Sequence, residues 1–214
     1  MVIAPKKQTN KIRVCVDFRA LNKVTIKDGF PMPFCERVLE DVAGHSLYSF
    51  MDGFSGYNQI AIHPDHQAKT AFVTPWGTFV YTKMAFGLQN APPTFNRVVQ
   101  KTFGPYLLQF LRVFMDDFSN FTGAHCSRPV DCFEEHLHQL SLIFDRCRQV
   151  CLKLNPNKCH FLVLQGTLLG HVVLAKGLAP DPDKIVAILR LPPPVNMKDT
   201  QSFVGHTGYH RRFV

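Results

Sequence analysis

Two short apolar runs each end in acid, Phe50-Met51-Asp52 and Val113-Phe114-Met115-Asp116-Asp117. Carboxylates beside buried apolar segments are costly unless they are paired, hydrogen-bonded or holding a cation. Three of them converging would repel strongly without a metal. Hard oxygen ligands of this kind suit Mg²⁺, which takes one or two carboxylates, waters and substrate phosphates rather than a closed protein cage. Two such ions clamp the attacking and leaving oxygens of an in-line phosphoryl displacement, the chemistry of polymerases and some nucleases. Each aspartate taken singly also fits the ordinary role of opening a turn after a strand, and the residues alone leave that alternative open.

The seven cysteines, at 15, 35, 126, 132, 147, 151 and 159, lack the paired close spacing of a zinc site or a dense disulfide framework. They read as reduced, mostly buried thiols. Cys147 and Cys151 share a helical face and Cys159-His160 follows, so a metal cluster stands as an alternative to ordinary core cysteines.

The elements that must position the acids follow from patterning. Ile12 to Phe18 alternates like a strand after a turn-rich basic tip at 6–11, a hairpin pattern. Pro33 opens a short helix to about Val42, and Leu47 to Asp52 is an apolar strand. Phe72-Val73 and Thr78 to Tyr81 flank a turn. Asn90 can cap a helix whose first turn accepts Pro92 and Pro93 and which runs to about Phe103. Leu111 to Phe114 is a second strand, with a return strand suggested by Phe118 and Phe121. Residues 131–151 repeat apolar positions with a helical period. Lys153-Leu154, Phe161 to Leu164 and Leu168 to Leu174 read as strands. Helices at about Asp183 to Leu189 and Asn196 to Phe213 are split by Pro192-Pro193-Pro194. The mixed order predicts an α+β fold with helices on one face of an antiparallel sheet.

The chain has 214 residues, 46% hydrophobic and 19% charged, which excludes a disordered chain, and a net charge of +8, which favours polyanion partners without dictating them. No stretch is apolar for long enough to cross a bilayer and the N-terminus is not patterned as a signal peptide, so an intracellular setting and no membrane partner are expected.

At these residues the chain resembles the reverse transcriptases of Gypsy-type LTR retrotransposons. Six collinear segments carry the resemblance: 16–23 (VDFRALNK), 51–60 (MDGFSGYNQI), 84–95 (MAFGLQNAPPTF), 114–117 (FMDD), 152–159 (LKLNPNKC) and 168–171 (LLGH). It implies a right-hand polymerase palm, ferredoxin-like, with residues 1–30 a partial fingers hairpin, 31–175 the palm with the remaining fingers segment and a primer-grip hairpin, and 176–214 the start of the thumb.

By that resemblance, Asp52, Asp116 and Asp117 hold two Mg²⁺ ions (Mn²⁺ an alternative), with the Gly53 carbonyl as a further ligand. A primer 3′-hydroxyl then attacks the α-phosphate of a dNTP and pyrophosphate leaves. Lys158 is implied as the general acid that protonates it. Lys6 and Arg13 would reach the triphosphate, and Tyr57 would stack beneath the sugar and exclude a 2′-hydroxyl. Phe86, Gly87 and Gln89 would line the nucleotide and template side. Phe114, Met115, Leu169, Gly170 and His171 are implied in contact with the primer-template. Gln201, Gly205 and Tyr209, spaced by four, share a helix face that suits the minor groove, with packing onto the palm as the alternative. Arg211 and Arg212 would meet phosphates.

The implied partners are an RNA/DNA template-primer duplex, dNTPs, and the protease, RNase H and integrase domains of a parent polyprotein. Phe114 replaces the family's usual tyrosine, and 120–129 is looser than the family pattern. The chain reads as beginning inside the fingers and ending inside the thumb. A truncated remnant that only binds nucleic acid is the second hypothesis, and a different two-metal enzyme on a similar palm, such as a nucleotide cyclase, the third.

Overall fold

The computed structural model describes residues 2–5, 12–123 and 129–213. At its centre is a four-stranded antiparallel sheet built from β3 (Leu47–Asp52), β6 (Leu111–Phe114), β7 (Asp117–Thr122) and β8 (His160–Val163), in the order β6-β7-β3-β8. Outside it lie hairpin β1 (Val2–Pro5) and β2 (Ile12–Cys15), the small hairpin β4 (Phe72–Thr74) and β5 (Gly77–Phe79), and a three-stranded sheet of β9 (Gln165–Leu168), β10 (His171–Leu174) and β11 (Gly177–Pro180). The helices are α1 (Arg19–Val24), α2 (Cys35–Val42), α3 (Pro64–Gln67), α4 (Ala91–Phe103), α5 (Pro129–Gln149), α6 (Pro182–Leu189) and α7 (Met197–Gly208).

Strand alternation sorts the central residues onto two faces. Met51, Leu111, Val113 and Phe118 pack with Phe95, Val99 and Phe103 of α4 and Leu140, Ile143 and Cys147 of α5. The two long helices therefore share one face, as the patterning predicts. The opposite face adds a layer, because Tyr48, Phe50 and Phe121 pack against Val38, Leu39 and Val42 of α2 and against Leu168 and Val173 of the smaller sheet. Asp41 of α2 accepts from the nearly buried Arg112 of β6 at 2.9 Å, fixing that helix to the sheet.

Several sequence expectations shift. Leu168 to Leu174 is not one strand: the chain reverses at Leu169-Gly170, both at positive φ, the signature of a tight hairpin turn. Leu154 makes only a single bridge, to Gly53. Asn90 occupies the cap position of α4 but does not cap it with its side chain. It instead accepts from the Asp28 amide and donates to the Ile26 carbonyl, so tertiary pinning of the 26–28 segment wins over the local cap. The last helix stops at Gly208, short of Phe213, and β11 and α1 form where the patterning predicts no element. Cys15, Cys35 and Cys151 are exposed free thiols, and Cys132 is disulfide-bonded, so the cysteines are neither mostly buried nor all reduced. Asn120, in a glycosylation sequon, is fully buried inside β7.

A buried polar chain crosses the helix-covered face. The register of β3 on β8 shifts between Tyr48 and Phe50, and the Leu162 amide released by this bulge donates to Ser49 Oγ at 3.1 Å. Ser49 Oγ lies 2.8 Å from His136 Nε2, and Thr122 Oγ1 lies 2.8 Å from His136 Nδ1. Because the Thr122 hydroxyl donates to Gln139 Oε1, it accepts from Nδ1–H, and Nε2 then accepts from Ser49. One neutral imidazole thus joins α5 to β3, β7 and, through Ser49, β8. Burial holds His136 down at about 4. The unfolded chain binds this proton near 6.5, so between about pH 6.5 and 4 unfolding takes up a proton and stability falls as pH falls, by about 3 kcal/mol in full. Urea titrations at pH 7 and pH 4.5 should show this loss in the wild type and a clearly smaller one in His136→Gln; equal pH dependence in both would exclude the assignment.

Candidate active site

The antiparallel register of β3 on β7 sets Asp52 directly opposite Asp117. β6 and β7 pair through Phe114 and Asp117, leaving Met115 and Asp116 as a two-residue turn. Such turns need positive φ where glycine is the usual residue, and Met115 adopts φ 54°. A non-glycine residue held there costs on the order of 1–3 kcal/mol, a strain the surrounding sheet must hold in place. The Asp116 carbonyl accepts from the Gly53 amide at 2.7 Å, tying this turn to the end of β3. The three carboxylates are thereby gathered at one end of the sheet's central strands.

Their electrostatics show the crowding. The Asp117 carboxyl is pushed up to about 6, first by lost hydration, then by the like charges of Asp116 and Asp52, with Lys158 acting in the opposite sense. Asp52, largely shielded from solvent, accepts from Lys158 Nζ at 2.7 Å. A cleft of about 220 Å³ is lined by Asp52, Asp117, Lys158, His160, Thr167 and Leu168. Among the described residues no three His, Cys, Asp or Glu side chains close into a preformed metal cage. An open set of hard carboxylate oxygens is nonetheless what Mg²⁺ uses when waters and substrate phosphates complete its shell, so these residues fit such an ion. Cys159 Sγ donates to the Asn155 carbonyl and Cys147 is buried with its thiol pushed up to about 11, so neither sits in a metal-ligating group.

Beyond Gly53 the chain makes a 3-10 turn at Gly56–Gln59, preceded by Ser55 at φ 50°. A Cβ on Gly56 would lie 3.2 Å from the Phe95 ring and 3.4 Å from Asp116 Cβ, so glycine permits this approach. Tyr57 is half-buried, edge-on to Phe86 at 5.2 Å and Phe95 at 5.7 Å. Burial and the Asp116 charge raise its phenol above the usual range. Gly87, at φ 92°, and Gln89 belong to a loop held by Asn22, which donates to the Gly87 carbonyl at 2.8 Å and accepts from the Gln89 amide at 3.0 Å.

Away from the acids, the Leu169 carbonyl accepts from the Tyr209 hydroxyl, and the Tyr209 ring stacks on His171 at 5.2 Å. Gln201 and Gly205 are exposed on α7, while Tyr209 ends that helix with its hydroxyl already engaged. Arg211 and Arg212, expected to meet phosphates, instead face Glu36 and Glu40 of α2, because the turn after Gly208 carries them back onto the fold. Arg13 lies on β2 opposite Ala4, and Lys6 lies outside the described residues.

Two supporting residues escaped the sequence reading. Asn22 is one. Gln59 is the other: its amide donates to the Phe54 and Lys153 carbonyls at 2.7 and 2.9 Å and accepts from the Lys153 amide at 2.7 Å. It clasps the segment after Asp52 to the one leading to Lys158. Both lie inside segments that the resemblance covers, but only a tertiary contact reveals their task.

The family model described as reverse transcriptase (RNA-dependent DNA polymerase) matches residues 4–173. The retrovirus-related Pol polyprotein from transposon 297 of Drosophila melanogaster is 35% identical over 99% of this chain, and that from transposon 412 of the same organism is 31% identical over all of it. The chain spans only 20% and 17% of the length of these two relatives. Among solved structures, the foamy viral protease-reverse transcriptase in complex with an RNA/DNA hybrid superposes with a TM-score of 0.83 at 23% identity, over 98% of this chain and 27% of that one. A double-stranded DNA complex of the same viral protein gives 0.88, at 23% identity, over 98% of this chain and 35% of that one. At this identity the likeness speaks to fold.

The Gln59 clasp predicts a stability effect. Gln59→Ala should lower the unfolding free energy by about 2 kcal/mol and speed amide exchange at Lys153. Unchanged exchange at Lys153 would show that the clasp is dispensable.

Proposed function

The chain belongs to the reverse transcriptase (RNA-dependent DNA polymerase) family, with Gypsy-type retrotransposon Pol polyproteins as its relatives, and on that premise we propose that it extends a primer 3′-hydroxyl with deoxynucleotides on an RNA or DNA template. The observation that carries the proposal is the register that sets Asp52 opposite Asp117 with Asp116 in the adjoining turn. These carboxylates would hold two divalent ions, Mg²⁺ by their chemistry, with the Gly53 carbonyl as a further ligand. When bound, the ions neutralise charge on the triphosphate and lower the cost of ionising the primer hydroxyl.

The protein's own groups orient and exclude. The Tyr57 ring, braced by Phe86 and Phe95, forms a floor on which a deoxyribose can rest and a 2′-hydroxyl would collide. The loop held by Asn22 presents Phe86, Gly87 and Gln89 beside it. Lys158 Nζ, poised at Asp52, is the proton source for departing pyrophosphate and leaves its carboxylate as it turns to that leaving group. Lys6 and Arg13 serve the triphosphate. Phe114, Met115, Leu169 and Gly170 contact the primer-template, with Gln201, Gly205 and Tyr209 on the minor-groove side; His171, expected among these contacts, is buried against Tyr209 and His210 and supports the turn from beneath.

In the same reading residues 1–30 are partial fingers, 31–175 the palm and 176–214 the start of the thumb, with β11 of the last part paired to β10 in the smaller three-stranded sheet. The protease, RNase H and integrase activities of a Pol polyprotein would lie in other parts of a parent protein.

Primer extension on an RNA template tests the proposal. With Mg²⁺ and dNTPs the wild type should add nucleotides, Asp116→Asn should fall by about 10³-fold, since metal-assisted charge stabilisation supplies several kcal/mol, and Tyr57→Ala should admit ribonucleotides. Duplex binding without extension by the wild type would favour the non-catalytic remnant, and unchanged sugar selection in Tyr57→Ala would remove Tyr57 from the gate.

A further inference from the structure

Lys184 is a half-buried cation in an unusual position. It occupies the first turn of α6, where the helix dipole favours negative charge, so its placement works against the helix that carries it. No ion pair among the described residues includes it, whereas Lys158, Arg211 and Arg212 each face a carboxylate. The nearby Asp181 carboxylate accepts from the Asp183 amide as the cap of α6. The Lys184 ammonium is seated instead on the Tyr209 ring, 3.5 Å from its centroid. An aromatic face attracts a cation without neutralising it, so the positive charge stays available to an anion.

The seat is built around the β9–β10 turn. Gly170 leaves the space the ammonium fills: a Cβ there would collide with Lys184 Nζ and lie 2.7 Å from the Tyr209 hydroxyl. That hydroxyl donates to the Leu169 carbonyl, and His171 stacks on the same ring. Leu168, immediately before the turn, lines the cleft that also contains Asp52 and Asp117. The ammonium is therefore held beside the turn that directly follows Leu168, a residue of the carboxylate cleft.

We infer that Lys184 binds a phosphodiester of the primer strand close to its 3′ end, with Tyr209 and the gap at Gly170 as the device that holds its ammonium there. The inference rests on the polymerase reading and adds to it a contact that neither the resemblance nor the charge pattern assigned. Loss of one phosphate contact lowers the salt slope of binding by about one and weakens binding at fixed salt by roughly three- to tenfold.

Fluorescence anisotropy with a recessed RNA/DNA primer-template, over a range of salt, tests it. Lys184→Gln should show the weaker affinity and the shallower slope, and Lys184→Arg should restore both, with circular dichroism confirming that each variant is folded. A primer carrying a single neutral methylphosphonate near its 3′ end should weaken the wild type by a similar factor and leave Lys184→Gln unaffected at one position. Equal affinity and slope in wild type and Lys184→Gln would overturn the inference while leaving the polymerase reading intact. So would a variant whose only defect is a raised KM for the dNTP, which would move the contact to the triphosphate. A wild type that binds no duplex at all would bring down both.

Discussion

The register of β3 on β7 is the constraint on which the rest of the structure depends. Antiparallel pairing slips by whole residues, and a slip of one would turn Asp52 away from Asp117 and reverse every side chain on β3. Lost hydration and the like charges at adjacent strand ends both work against that register, and together they raise the Asp117 carboxyl. What opposes the repulsion is the two-sided core. Met51 and Phe118 are buried under α4 and α5, while Tyr48, Phe50 and Phe121 are buried under α2 and the smaller sheet. Slippage would drive each set into the core shaped for the other, at a cost of roughly 1–3 kcal/mol per misfitted side chain.

Polar contacts refine what the apolar core sets coarsely. His136 links Ser49, three residues before Asp52, to Thr122 at the far end of β7, and the Leu162 amide joins β8 to the same chain of bonds. Gln59 clasps the segment after Asp52 to the one before Lys158. Asn22 reaches from α1 to fix the loop of Gly87 and Gln89. Apart from the local Gln59–Phe54 bond, these contacts join residues distant in sequence, so the site is held by the fold as a whole. The strained Met115 turn is tolerated because β7 is so anchored and β6 is tied to α2 through Arg112 and Asp41.

Much of this was legible in the residues. The apolar runs ending in Asp52 and Asp116-Asp117 announced their strands because a half-buried strand and its terminal acid are local patterns, and both strands fall where the patterning placed them. The helix at 129–149 was legible from its period. Less legible were features settled by long-range competition. Asn90 reads as a cap and is drawn off to pin Asp28. Leu168 to Leu174 reads as a strand and is folded by a left-handed Leu169 that no propensity favours. Arg211 and Arg212 read as phosphate contacts and meet Glu36 and Glu40, since the carboxylates that claim them lie about 170 residues away. Lys184 carried no motif, and only its seat on Tyr209 distinguishes it from a surface lysine.

The central claim is that Asp52, Asp116 and Asp117 act together as a divalent-ion site. Its most direct test is a Mn²⁺ titration followed by electron paramagnetic resonance, with Mg²⁺ as competitor, on the chain bound to a dideoxy-terminated primer-template and the next dNTP. The expected result is protein-dependent Mn²⁺ uptake that Mg²⁺ displaces and that Asp52→Asn and Asp116→Asn each largely abolish. Uptake equal in the wild type and both variants would contradict it.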